Sequence, residues 1–129
     1  MPNKTIALEW LEKAKHNLEA AKFLFEANHY TDVIGLELHQ AIEKTLKAIP
    51  AYNKQKIKKV HDLQILLEDC EGYININSDY KKLCAIATDY YVTERYPSFQ
   101  YSMPDKDEIS MIMEMAFNLY DLVNNYVNT

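Results

Sequence analysis

Glycine is nearly missing from this chain, with two in 129 residues, and proline is scarce at four. Sandwiches and barrels of short strands need turn residues every ~8–12 positions, so an all-β fold is largely excluded. A dinucleotide-binding turn and a P-loop both need clustered glycines and are excluded outright. Cysteine occurs twice, at Cys70 and Cys84, with no CxxC pair. Two cysteines with scattered histidines are no zinc signature and read as free intracellular thiols. There is no run of ~18 apolar residues, and the first residues lead into an amphipathic segment without a secretory apolar region. These absences predict a cytoplasmic protein with no membrane association. Positive charge is also short: the net charge is −5, which argues against a generally basic nucleic-acid binder but leaves room for a local basic patch. Arg95 is the only arginine among the 14 Lys and Arg.

What the chain does have is helical periodicity. At 15.1 kDa and 48% hydrophobic residues it predicts one domain, 1–129, able to bury about two thirds of its unfolded surface without a metal or disulfide. Ala7, Leu11, Ala14, Leu18, Ala21 and Phe25 step by alternating fours and threes, one stripe of a helix over roughly 5–27. Ile34, Leu38, Ile42, Leu46 and Ile49 form a second stripe over 31–49, with Pro50 expected to stop the helix. The short break between them favours an antiparallel hairpin. A short helix is expected over 61–70, with Asp62 as its N-cap, and Gly72 is a natural stop. Ser78 or Asp79 can cap a fourth helix reaching Val92, with Leu83, Ile86, Ala87 and Tyr90 inward. Asp105-x-x-Glu108 resembles a capping box opening a last helix to about Val127, with Ile109, Ile112, Ala116, Leu119, Val123 and Tyr126 inward. The prediction is all-α, five helices, four of them long enough to build a bundle.

Several patterns bear on chemistry. Ferritin-like metal sites need Glu-x-x-His on two helices, and the single instance here, Glu26–His29, sits at a helix end, so no metal is expected. The serines lack nucleophile-elbow glycines, and Cys84 in its apolar context reads as a core thiol. On the second helix Gln40, Lys44 and Lys47 share a face beside the i, i+4 pair His39 and Glu43. The pattern favours a solvated face with a His–Glu contact worth a few tenths of a kcal/mol; the other reading is a polar strip that holds an anion. Lys54, Lys56, Lys58 and Lys59 make the one dense positive run, either a solvated loop or an attractor of phosphate. Arg95 stands among Tyr90, Tyr91, Tyr96, Phe99 and Tyr101. A planar guanidinium suits phosphate or carboxylate, and neighbouring aromatics can stack a base or pack at a dimer interface.

Over roughly 6–126 the sequence resembles the HEPN family (higher eukaryotes and prokaryotes nucleotide-binding domain). The resemblance is carried by Trp10-Leu11-x-x-Ala14 with Asn17-Leu18, by His39-Gln40-Ala41-x-Glu43-Lys44-x-Leu46-Lys47-Ala48, by His61-Asp62-Leu63 with Leu66-Leu67, and by Glu94-Arg95-Tyr96-Pro97. It implies an antiparallel four-helix up-and-down bundle with a short additional helix, usually a homodimer, often encoded beside a small nucleotidyltransferase as a toxin–antitoxin pair. Catalytic relatives are metal-independent RNases with a histidine four to six residues after the arginine. Here Tyr96-Pro97-Ser98-Phe99-Gln100-Tyr101 follows Arg95, with no histidine. A phenol, with an ordinary pKa of about 10, is a poor general base. The resemblance therefore implies a nucleotide- or RNA-phosphate-binding domain without cofactor. Arg95 grips phosphate, Tyr91 or Tyr96 stacks a base, and Lys44 and His61 stand near the same cleft. The alternatives are an RNase that recruits His61 or His39, and a pure interaction module.

Overall fold

A computed structural model describes residues 2–95 and 103–129, the side chains of 93–95 excepted. Five helices follow in order: α1 (Lys4–Glu26), α2 (Thr31–Tyr52), α3 (Leu63–Glu68), α4 (Tyr80–Arg95) and α5 (Lys106–Asn128). No strand occurs among the described residues. The Asn3 N–H donates to the Tyr52 carbonyl at 2.9 Å, so the start of α1 meets the end of α2 and the two run antiparallel.

Scarcity of glycine shapes the turns. α1 and α2 both end in a left-handed residue, Asn28 at φ 57° and Lys54 at φ 55°. In each case the next N–H reaches back five residues, His29 to Leu24 at 2.9 Å and Gln55 to Pro50 at 2.8 Å. That is the Schellman closure usually given to glycine, taken here at a cost of about 1–2 kcal/mol per residue.

The stripes read from sequence form the core. Ala7, Leu11, Ala14, Leu18 and Ala21 of α1, and Ile34, Leu38, Ile42, Leu46 and Ile49 of α2, are buried. Phe25 and Tyr126 are half-buried, and Met115 and Val127 join the buried face of α5. Cys84, Ala87 and Tyr90 are the buried side of α4, while Leu83 and Ile86 are half-buried. At Gly35 α2 runs against α4 so closely that a Cβ would lie 3.0 Å from the Tyr90 ring.

Three local expectations are corrected. First, Pro50 lies inside α2, which continues to Tyr52. Proline has no N–H for the carbonyl of Leu46, and the loss normally ends a helix. Here the Cys70 thiol, beyond α3, lies 3.4 Å from that carbonyl and equally 3.4 Å from the carbonyl of Leu66, so its one proton is shared between the two. Burial pushes both thiols up to about 12, so Cys70 keeps its proton. Cys70→Val should cost about 1–3 kcal/mol in urea denaturation, the penalty of a buried carbonyl left unpaired. A cost near zero would remove this role. In the folded chain neither thiol should react with iodoacetamide at neutral pH, as expected of protonated, buried groups.

Second, the capping box at α5 does not form. Asp105 is the N-cap without a side-chain bond, and Glu108 instead accepts from the Tyr90 hydroxyl at 2.7 Å. Burial and then this carboxylate hold the Tyr90 phenol well above its usual range, so it remains a donor. Third, α3 is shorter than expected and begins at Leu63, because Asp62 Oδ1 takes the N–H of Gln64 at 2.9 Å and fixes the start. No helix among the described residues is long and apolar enough to cross a membrane.

Candidate phosphate-facing site

Helical spacing of four puts His39, Glu43 and Lys47 on successive turns of one face of α2. That face is enclosed. His39 is 0% exposed, Glu43 6% and Lys47 7%, so the solvated face expected from pattern is overturned. The reason is tertiary: α2 packs against α1, α3, α4 and α5, and a helix surrounded on several sides has no wet face left for these groups.

Burial forces the charges to pair. Lys47 Nζ donates to Glu43 Oε2 at 3.1 Å and lies 5.7 Å from the Trp10 ring centroid, within cation–π range. His61 Nδ1 meets Glu43 Oε1 at 2.8 Å. A carboxylate only accepts, so Nδ1 is the donor, and in the neutral ring Nε2 keeps the lone pair. The His61 side chain is 50% exposed. His39 Nε2 lies 2.8 Å from the His61 carbonyl and by the same logic donates to it. Its Nδ1 is buried without a hydrogen-bond partner, 3.9 Å from Glu43 Oε1. Burial lowers the His39 pKa, with Glu43 and the carbonyl bond opposing.

Tyr91, from α4, stacks on both imidazoles, at 4.3 Å from the His61 centroid and 5.0 Å from that of His39. The backbone beyond His61 is also tied down. Asp62 caps α3, and the Leu63 N–H donates to Thr88 Oγ1 on α4 at 3.0 Å. One half-exposed imidazole is thus held through its ring nitrogen, its face, its carbonyl and the next two residues.

The structure brings His61 and Tyr91 together. Lys44 turns to α1, donating to Asn17 Oδ1 at 2.8 Å, while Asn17 Nδ2 donates to Glu37 at 2.7 Å. Lys44 and Lys47 therefore serve different partners, and the expected strip divides. Arg95 ends α4 one turn after Tyr91. Its side chain, and all of Tyr96, lie outside the described residues. Lys54, Lys56, Lys58 and Lys59 are exposed, with Lys58 bonded to Asp69 at 3.0 Å. Among the described residues no group of three His, Cys, Asp or Glu is arranged to hold a metal ion.

Glu43 and Lys47 belong to the polar strip of the second reading, and Trp10 to the residues that carry the family resemblance, but nothing in their spacing brings the three together.

An all-α chain with a buried His–Glu–Lys row under one half-exposed histidine is the class that fold and site define. The family model for the HEPN domain matches residues 7–126, and the chain belongs to that family. Two solved structures share the fold. TT1696 from Thermus thermophilus superposes with a TM-score of 0.79 at 24% identity, covering 93% of this chain and 97% of that one. ST0689, an archaeal HEPN homologue, gives 0.73 at 18% identity, covering 94% and 97%. No curated protein is a significant match.

Proposed function

We propose that this HEPN domain binds a phosphate-bearing ligand, a nucleotide or an RNA phosphate, on the face formed by His61 and the end of α4. The observation that carries this reading is His61 itself, held on Glu43 through Nδ1 with its ring half-exposed and stacked on Tyr91, which precedes Arg95 by one turn of α4. In this reading Arg95 supplies the planar donors for phosphate, His61 a directed nitrogen, and the lysines of 54–59 a steering field. Tyr91, which stacks on the imidazoles of His61 and His39, or Tyr96 stacks a base. The partners fit the family: a second copy in a homodimer, and a small nucleotidyltransferase in a toxin–antitoxin-type pair. The chain would be a single domain in which α1, α2, α4 and α5 make a four-helix up-and-down bundle. The Asn118–Tyr80 and Tyr90–Glu108 bonds support that arrangement for α4 and α5.

Equilibrium binding of ATP and of a short RNA tests the reading. Arg95→Ala and His61→Ala should each weaken binding about tenfold or more, the worth of one charge-assisted hydrogen bond. Affinity equal to wild type in both variants counts against the site.

One observation favours a second reading, a metal-independent RNase. A carboxylate on Nδ1 of a half-exposed imidazole is the arrangement that makes a histidine a directed base. His39 is fully buried and can touch no ligand, so His61 would carry that role. Cleavage of labelled RNA that survives EDTA and vanishes in His61→Ala supports it; no cleavage at micromolar protein ends it.

A further inference from the structure

We propose that His39 is a positioning residue with two states: neutral, it holds His61 in place, and with a proton on Nδ1 it draws Glu43 away from His61 and frees the ligand-facing ring. The inference rests on the reading of His61 as the group that meets ligand.

Two imidazole nitrogens approach one oxygen. Glu43 Oε1 is 2.8 Å from His61 Nδ1 and 3.9 Å from His39 Nδ1. His39 Nε2 is committed to the His61 carbonyl, so a second proton has one place to go, the buried Nδ1 that has no partner. Once there, it faces a carboxylate across a gap about 1 Å too long for a hydrogen bond. The His39 ring cannot close that gap. It is fully buried, held at Nε2 and stacked on Tyr91. The carboxylate must come to it, and in the protonated state that movement is made at the expense of its bond to His61.

The groups facing His39 set the balance. On α2 Glu43 favours the proton and Lys47 opposes it; His61, from the segment before α3, opposes it when charged. Tyr91, on α4, covers the ring. Burial is the largest opposing influence and keeps the neutral state dominant at neutral pH. A protein that needed only a packed core residue here would gain nothing from a titratable ring with an idle nitrogen beside a carboxylate. The same arrangement makes good sense as a proton-sensitive hold on His61.

Nitrogen-15 correlation spectra of the imidazoles, on the full chain without nucleotide, test this between pH 8 and pH 5. His61→Ala supplies the assignment. At pH 8 His39 should carry its proton on Nε2 and His61 on Nδ1. On acidification Nδ1 of His39 should protonate, and over the same range the hydrogen-bonded Nδ1–H signal of His61 should shift. His39→Gln can still donate to the His61 carbonyl but cannot take the proton, so there the His61 signal should hold through that range. The ratio of ATP affinities at the two ends of the range should also differ at least threefold between His39→Gln and wild type. The proposal is overturned if His39 protonates while the His61 signal stays still, if His39 takes no proton before the chain unfolds, or if His39→Gln keeps the wild-type response. Should His39→Gln fail to fold, the coupling in wild-type spectra decides alone. Because the spectra need no ligand, absence of ATP binding overturns the functional reading, whereas absence of coupling overturns this one.

Discussion

Glu43→Leu should lower the free energy of unfolding by about 3–5 kcal/mol, the usual cost of leaving one member of a buried ion pair without its partner. Lys47 has no other carboxylate partner among the described residues, and it is as buried as Glu43. The substitution leaves its ammonium enclosed beside Trp10 and removes the acceptor that fixes His61. A domain of this size has a total stability of about 5–15 kcal/mol, so the loss is a large share of it. The double variant Glu43→Leu/Lys47→Met should recover most of it in urea denaturation, since no isolated charge remains. It should not recover nucleotide binding, because His61 still lacks its acceptor. A single-variant cost under about 1 kcal/mol would mean that Lys47 reaches water after all, and the account of this face would fail.

The second large effect is on pH dependence. His39 titrates below the ordinary histidine value of 6.5 in the folded chain, chiefly because it is buried. Between that lowered value and 6.5 the unfolded chain takes up the proton and the folded chain does not. Stability therefore falls as pH drops through this window, by up to about 1.4 kcal/mol per pH unit, and is unaffected by this group well above 6.5. Other groups contribute to the same curve, so the quantity to measure is the difference between the wild-type and His39→Gln stability curves. That difference should be flat above neutral pH and open steadily on the acid side. A constant difference across the range would show that His39 takes up its proton equally in the folded and unfolded chain, with no lowering by burial.

Individual residues show how much of this was legible beforehand. Leu11, Leu18, Ile34, Leu38, Ile109 and Ile112 were assigned inward from spacing, and all are buried. Asp62 was assigned as an N-cap and is one. Both depend on neighbours within a few positions, which a sequence displays directly. Pro50 misled because its remedy, Cys70, comes 20 residues later in the chain and from another element. Glu108 misled because Tyr90 competes for the carboxylate that a capping box would use. Tyr91 and His61 were both named, but nothing in their spacing says that they stack.

The order of helices, their inward stripes, the scarcity of turns and the family were determined by the amino-acid order alone, because helical periodicity and capping are short-range. Whether His39, Glu43 and Lys47 are wet or dry was decided only when α1, α3, α4 and α5 closed around α2. Three polar residues at helical spacing look the same in either case. Their chemistry depends on how much water the neighbouring helices exclude, and that is a property of packing.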